Sequence, residues 1–313
     1  MLAVKKYLSL VKFSHTIFAM PFALIGFFLG LFAVRNSKIF GDWLFRERGY
    51  SNSLWELNGN IFSIVKLFIL VILCMVFARA AAMAFNRWLD KNFDAKNPRT
   101  AVREIPAGII KANSALWFVI INCLLFVICT YFINRICFYL SPVALFVILF
   151  YSYTKRFTAL CHLVLGVGLS LAPIGAFLAV TGYFGIVPVL FSFAVLFWVS
   201  GFDIIYALQD EEFDKNNKLH SIPAAVGKNR ALTISEALHV FAVVCVGYAG
   251  VFGFFGTLYW IGVAFFIGLL IYQHRLVKPD DLSKVNIAFF TTNGIASVVF
   301  SIFVILDLFI ASG

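Results

Sequence analysis

Charged residues, and acidic ones above all, are scarce in this sequence of 313 residues. Only 13% of the residues are charged and only 15 are Asp or Glu, whereas 62% are hydrophobic. A soluble globular domain carries roughly twice that charged share, about 25% of its residues. The composition therefore excludes an ordinary soluble domain and indicates a protein that is embedded in a membrane.

Cysteine patterns typical of disulfides or metal sites are also missing. The six cysteines show no paired spacing, and most of them fall inside apolar runs. No set of histidines and cysteines has the spacing of zinc ligands. We therefore interpret the cysteines as packing residues.

Long apolar runs dominate what is present. A membrane-spanning helix needs about 20 mostly apolar residues. The first run has no small-residue cleavage site, so we expect a retained helix and not a signal peptide. The runs predict an all-α integral membrane protein with about nine transmembrane helices, although the fourth run is short. They lie at 15–34, 62–85, 115–134, 138–153, 160–181, 186–209, 232–254, 257–274 and 286–311.

Basic residues are distributed unevenly between the two sides of this predicted bundle. The net charge is +10, and most of the 25 Lys and Arg residues fall in alternate short loops. Cytoplasmic loops carry such an excess, so we predict a bacterial-type inner membrane protein with a cytoplasmic N-terminus and an outer C-terminus. This pattern explains the basic charge without a nucleic-acid partner. The outer loops at 182–188 and 253–259 carry no charge, and we expect the outer half to be uncharged.

Two matching acidic strings end apolar runs on the predicted cytoplasmic side. "DKNFDAKN" at 90–97 and "DEEFDKNN" at 210–217 share the pattern D-x-x-F-D-x-x-N, and the tripeptide "IPA" follows each. The match predicts a single transmembrane domain over residues 1–313, with two pseudo-related halves at roughly 12–153 and 154–311.

Each string predicts an acidic stripe along one helix. Residues four apart lie on the same face of a helix, so each set of side chains would point in one direction. Arg79 points into the arc of the first stripe, and Tyr206 lies beside the second. The first stripe holds Asn86, Asp90 and Asp94, and the second holds Asp203, Asp210 and Asp214.

Inserting such acidic stripes into a membrane costs free energy, so their charge needs a partner that offsets it. An Asp at the centre of a spanning helix costs about 2.5–3.5 kcal/mol to insert, and less near the interface. Carboxylate and amide oxygens suit Mg²⁺, which is often shared with the phosphates of a substrate. The sequence therefore predicts magnesium and a diphosphate, although a single D-x-x-x-D at a helix end is usually an exposed turn.

The strings resemble the two aspartate-rich signatures of the UbiA superfamily of intramembrane aromatic prenyltransferases. The resemblance is carried by "NRWLDKNFDAKNPRTAVREIPAG" and "GFDIIYALQDEEFDKNNKLHSIP", and "KFSHTIFAMPFALIG" and "YSYTKRFT" look like further family strings. It implies a UbiA-type fold of nine helices around a central cavity, two Mg²⁺ ions and a polyprenyl diphosphate donor. Many members read Asn-Asp in the first signature, whereas this chain reads Asn86-Arg87, and we do not expect Arg87 to be a metal ligand.

The resemblance also implies roles for individual residues. The two stripes would each hold one Mg²⁺, and their five aspartates together with Tyr206 would form the catalytic set. Candidates for binding the diphosphate are Lys155, Arg156, Arg99 and Arg103. The alternative is that these four residues only set the membrane topology. Arg79 and, more weakly, His15 are candidates for binding the carboxylate of an aromatic acid acceptor. His220 is a weaker candidate still.

Several functions remain open at this stage. The predicted function is transfer of a polyprenyl chain to a 4-hydroxybenzoate-type acid in respiratory quinone synthesis. Strings such as "MAFNR" and "CHLVLG" also look like a branch assigned to menaquinone synthesis by the futalosine route, which uses a naphthalene-type acid. Functions of another class are a divalent-cation transporter and a membrane scaffold. Clustering of the acids at one face argues against a transporter, and we infer no obligate protein partner.

Overall fold

The computed structural model describes residues 2–11, 18–35 and 61–310, and this part of the chain is helical and contains no β-strand. Eight helices are long and apolar enough to cross a membrane, and the shorter apolar helix at Met20–Val34 adds a ninth. This confirms the prediction of about nine transmembrane helices. The helices are α1 (Leu2–Leu10), α2 (Met20–Arg35), α3 (Ile61–Leu89), α4 (Lys91–Asp94), α5 (Ala112–Ile133), α6 (Arg135–Thr154), α7 (Cys161–Thr181), α8 (Ile186–Ala207), α9 (Glu211–Asn216), α10 (Ile222–Val226), α11 (Lys228–Phe252), α12 (Thr257–Leu276) and α13 (Asn293–Ile310).

Helix α8 is, together with α7, one of the two most enclosed spanning helices in the described part of the chain. It packs against α7 on one side and α11 on the other, and the Trp198 side chain on it is fully buried among aromatic rings that include Phe22 and Phe266. The rings on the outside of the bundle, such as Phe146 and Phe309, are exposed. An apolar exterior around a close-packed interior is the arrangement that a lipid bilayer requires.

Helices α2 and α7 approach each other closely at two glycines of α2, Gly26 and Gly30. A Cβ atom on Gly26 would lie only 2.0 Å from the carbonyl oxygen of Pro173. Small residues at such crossings allow transmembrane helices to pack tightly. This contact holds α2 against the wall of the bundle that carries α7.

Both acidic strings lie where the regular helix is interrupted, although the backbone N–H groups of Asp90 and Asp94 still donate to the carbonyls of Asn86 and Asp90, at 2.9 and 2.8 Å. Helix α3 ends at Leu89, one residue before Asp90, and α8 ends at Ala207, from where a 3₁₀ turn leads to Asp210. These interruptions place both strings at the ends of long apolar helices.

The last predicted run is also interrupted. A π-helical turn at Ile287–Thr292 precedes α13. The buried Asn293 side chain donates to the carbonyl of Phe289 at 2.9 Å and accepts from the Trp198 indole at 3.1 Å. A π-helical turn of this kind frequently marks a functional site, and here it sets Phe289 and Phe290 in the wall of the central cavity.

One acid lies at the far end of the bundle, where the sequence predicted no charge. Asp307 is buried, and its carboxylate accepts from the backbone N–H groups of Gly256 at 2.7 Å and Tyr259 at 3.1 Å. These groups begin α12, where the backbone donors have no partner within the helix. The expectation of an uncharged outer half is therefore wrong, because the first N–H groups of a helix need an acceptor and Asp307 supplies it.

Replacing Asp307 with Ala should destabilise the protein. The loss of a helix cap typically lowers the free energy of unfolding by about 0.5–2 kcal/mol, so the Tm of the purified protein in detergent should fall. The neighbouring exposed residue Leu306, replaced with Ala, is the matched control and should leave the Tm close to that of the wild type. An equal Tm for both variants would contradict the capping role.

Candidate active site

The two acidic strings meet at one cavity of about 300 Å³. The first string reaches it from the end of α3, and the second from the end of α8. A polar rim and an apolar wall formed by residues of α7 and α8 enclose the space. The predicted residues that line it are Arg79, Asn86, Asp90, Asp94, Arg99, Arg103, Lys155, Asp203, Tyr206, Asp210 and Asp214.

Cations from elsewhere in the chain neutralise the acids of the second string. The Asp210 carboxylate pairs with the Arg99 guanidinium and also accepts from the Asn97 amide at 3.1 Å. The Asp214 side chain is fully buried, lies 2.8 Å from the Lys155 ammonium and accepts from the Ser221 hydroxyl at 2.8 Å. Two loops distant in sequence thereby converge on one short segment.

The acids of the first string are paired in the same way. Asp90 accepts from Arg156 at 2.9 Å and from the Asn86 amide at 3.1 Å, and Asp94 accepts from Arg103 at 2.7 Å. Arg156 is held outside the lining of the cavity, because its guanidinium also donates to the backbone carbonyl of Leu89. Of the four predicted diphosphate-binding cations, it is therefore the one that the structure does not place at the cavity wall.

Burial and pairing act in opposite directions on these charges. Burial raises the pKa of the Asp90 carboxyl above its usual value, and the nearby Arg156 only partly offsets this. Burial alone would lower the pKa of Lys155, but the Asp214 carboxylate outweighs it and raises that pKa. Lys155 therefore stays protonated, whereas Asp90 gives up its proton less readily than an exposed carboxyl would.

Asp203 has a partner that the sequence analysis missed. Its carboxylate lies 2.7 Å from Nδ1 of His162, a buried residue in the first turn of α7. Nε2 of the same ring accepts a hydrogen bond from the backbone N–H of Ile222 at 3.3 Å. The ring proton is therefore on Nδ1, which donates a hydrogen bond to the Asp203 carboxylate. The only signal in the sequence was a histidine at the end of an apolar run, six residues after the "TKR" turn that contributes Lys155.

Aromatic rings form the side of the cavity next to Asp210. The Tyr206 hydroxyl accepts from Arg99 at 2.8 Å, and the Arg99 guanidinium lies 5.1 Å from the centre of the Tyr206 ring. Phe289 stacks on that ring at 4.2 Å between centroids, and Phe290 contacts it edge-on at 5.8 Å. Tyr206 and Asp210 therefore share the Arg99 guanidinium.

The remaining predicted residues fall into three groups. Arg79 lines the cavity, and its Nε atom is buried without a hydrogen-bond partner. His220 is exposed, and only its backbone N–H, which donates to the Lys155 carbonyl at 2.7 Å, joins the site. His15 lies outside the described residues. The cavity is also lined by Arg87 and Tyr151, for which the sequence analysis predicted no role.

The carboxylates and cations compensate one another in this arrangement. Within the described ranges no three Asp, Glu, His or Cys side chains are grouped so that they could hold a metal ion, and each aspartate of the two strings faces a cation or an amide. One carboxylate oxygen is an exception, since Oδ2 of Asp94 is buried and accepts no hydrogen bond. An orphaned carboxylate oxygen in a set of hard oxygen donors is compatible with a magnesium ligand.

Comparisons with known proteins agree with this architecture. A relative from Nitrosospira multiformis, named 4-hydroxybenzoate octaprenyltransferase, is 29% identical over 251 residues, which cover 80% of this chain and 86% of the relative. A relative of the same name from Paraburkholderia phymatum is 30% identical over 250 residues, with the same coverage of both chains.

Solved structures share the fold along nearly the whole chain. The apo structure of a UbiA homologue from Aeropyrum pernix K1 is 27% identical, has a TM-score of 0.76, and matches 94% of this chain and 98% of its own. A UbiA homologue from Archaeoglobus fulgidus bound to GPP and Mg²⁺ is 20% identical with a TM-score of 0.64, and the match covers 97% of this chain and 99% of the homologue. The second likeness shows the fold alone.

A family model decides the assignment. The model of the UbiA prenyltransferase family matches residues 53–295, which include both acidic strings and most of the bundle. The prediction that this membrane protein is a prenyltransferase enzyme is thereby confirmed. The chain belongs to the UbiA prenyltransferase family.

Proposed function

We propose that this protein transfers a polyprenyl chain from a polyprenyl diphosphate to an aromatic acid of the 4-hydroxybenzoate type, in a reaction that depends on Mg²⁺. The observation that carries the proposal is the convergence of both acidic strings, with their cations, on one cavity. Carboxylates, basic side chains and aromatic rings around an apolar space match a substrate that has a diphosphate group and a hydrocarbon chain.

The oxygen donors of the two strings fit magnesium. They are carboxylates and one amide, they line a single cavity, and Asp94 keeps an unsatisfied buried oxygen. Bound Mg²⁺ would neutralise the charge that develops on the diphosphate oxygens as the allylic C–O bond breaks. The residues that would hold it are Asn86, Asp90 and Asp94 in the first string, and Asp203, Asp210 and Asp214 in the second.

The cations that neutralise these acids would bind the diphosphate. Arg99, Arg103 and Lys155 line the cavity, and Arg156 lies directly behind Asp90. When the acids take a metal as their partner, these cations become free to pair with phosphate oxygens, which Arg binds in a bidentate manner. The ion pairs thus keep the groups in place until the substrate arrives.

The apolar wall suits the chemistry of the transfer. The allylic carbon loses its bond to the diphosphate oxygen, which leaves with the electron pair, and bonds to a carbon of the aromatic ring. That ring carbon then loses its proton, and aromaticity returns. The π-faces of Tyr206 and Phe289 would stabilise the allylic cation. Apolar residues of the wall such as Leu165, Leu169 and Val199 would exclude the water that could otherwise react with this cation.

Arg79 would bind the carboxylate of the acceptor. It lies on α3, eight residues before Arg87, and it lines the cavity without a carboxylate partner in the described part of the chain. The names of the curated relatives support 4-hydroxybenzoate as the acceptor and an octaprenyl donor. A cationic group inside a spanning helix is by itself a candidate for function.

The excess of Lys and Arg at the end of the bundle that holds the site supports a cytoplasmic active site in a bacterial inner membrane. Lys155, Arg99 and Arg103 belong to that excess and also line the cavity. Both substrates would reach the site at this face, where the cavity borders the loops. The topology is testable by adding a reporter after Ile310, which we expect to lie outside.

Membranes that contain the protein should form a lipophilic product from a polyprenyl diphosphate and 4-hydroxybenzoate when Mg²⁺ is present. EDTA should abolish the product and added Mg²⁺ should restore it. The reason is that the carboxylates release the Arg and Lys side chains paired with them only when a divalent cation takes their place. Product from a naphthalene-type acid instead would assign the menaquinone route. Uptake of Mg²⁺ into vesicles without any prenylated product would contradict the proposal and favour a transporter.

Asp94→Asn and Asp214→Asn should each reduce kcat by at least about 100-fold, which is about 2.7 kcal/mol of transition-state stabilisation. Both acids are buried in the cavity wall, so the loss of either charge removes a metal ligand from the site. Asp280→Asn, which changes an exposed acid outside the cavity, is the matched control and should retain the wild-type rate. Wild-type rates in either cavity variant, with equal amounts of protein in the membrane, would exclude that residue from the site.

A further inference from the structure

Arg87 is a buried cation without a partner. Its residue exposure is only 3%, yet it lines the central cavity. Its Nε and Nη1 atoms are buried and donate to no hydrogen-bond partner, and among the described residues no carboxylate lies within ion-pair distance of its guanidinium. Arg87 therefore differs from the cations of the rim, each of which faces an acid.

An unpaired guanidinium in this position is costly for the fold. The effective penalty for burying one ion is several kcal/mol even after relaxation, and it is offset only when an opposite charge is present. No acid of the two strings is available, because Asp94 already pairs with Arg103 and Asp90 with Arg156. Arg87 thus has no ion-pair partner of its own in the cavity, which favours an anionic group on a substrate.

The position of Arg87 indicates which anion. It follows Asn86 directly, and the charged side chains that act on it most strongly are Arg103 and Asp94, both at the rim. Arg79 lies eight residues earlier on α3, which is about 12 Å deeper along the helix axis. Arg87 therefore lies at the level of the acidic strings, and Arg79 lies at the level of the apolar wall.

We propose that Arg87 binds the diphosphate group of the donor directly, through the paired N–H donors of its guanidinium. This inference rests on the proposed function, because it requires a diphosphate substrate at the acidic strings. A planar guanidinium matches two phosphate oxygens at once, and burial strengthens the contact since water does not compete there. Arg87 is then a binding residue whose charge is balanced only in the substrate complex.

The test compares Arg87→Gln with Arg79→Gln, a matched change on the same helix and in the same cavity. Binding of inorganic diphosphate in the presence of Mg²⁺ is measured by calorimetry on the purified protein in detergent. Arg87→Gln should raise the Kd at least about tenfold, whereas Arg79→Gln should leave it within about twofold. Arg87→Lys, which keeps the charge but not the paired donors, should lie between the wild type and Arg87→Gln.

Thermal unfolding without diphosphate supplies a second readout. Because Arg87→Gln removes an uncompensated buried charge, its Tm should equal or exceed that of the wild type. Added diphosphate with Mg²⁺ should then raise the Tm of the wild type more than that of the variant. Should Arg87→Gln fail to fold, that result itself favours a structural role, and an unchanged Kd for Arg87→Lys would add to the case against the proposal.

The possible failures are distinguishable. If the wild type binds no diphosphate with Mg²⁺, the proposed function itself is wrong. If the wild type binds it and Arg87→Gln binds it equally well, the proposed function stands and the role of Arg87 is wrong. A variant that loses affinity for 4-hydroxybenzoate, but not for diphosphate, would move Arg87 to the acceptor site and would also overturn the inference.

Discussion

Neutralising buried carboxylates at the boundary of a membrane is the constraint on which this structure depends. An acid at the end of a spanning helix is tolerated when a counter-charge lies beside it. Here the counter-charge comes from another part of the chain, since Arg99 reaches from the first loop to Asp210 and Lys155 from a later loop to Asp214. The contacts that make the acids tolerable therefore also draw three separate segments around one cavity.

Hydropathy predicted the transmembrane helices well but not the way in which they end. The length of an apolar run reports how much lipid a segment can cross, so the number of spans and their approximate bounds followed from the sequence. The position of Asp307 at the start of α12 depends instead on contacts with backbone groups far away in the sequence. Periodicity along one segment contains no information about such partners.

The candidate site, like the fold, could be predicted only in part from the sequence. The acids and Tyr206 stood out because they repeat a pattern or interrupt an apolar run, and the cavity does bring them together. His162 was missed because it is an ordinary residue by itself and gains its role from one acid far away in the sequence. The suggested relation between the two halves of the chain stays a prediction, since convergence on a cavity does not require that the halves be related.

Two kinds of cation surround the cavity, and they differ in what binding a substrate would require of them. Arg99, Arg103 and Lys155 already satisfy a carboxylate, so they can turn to a phosphate only if that carboxylate gains another positive partner. This exchange would couple the binding of the donor to the binding of the metal, because neither alone balances the charges. Arg87 has no such partner to lose. A site that combines both kinds would attract the diphosphate group before the exchange and bind it fully only afterwards. The reactive arrangement would then form only when both the donor and the metal are bound.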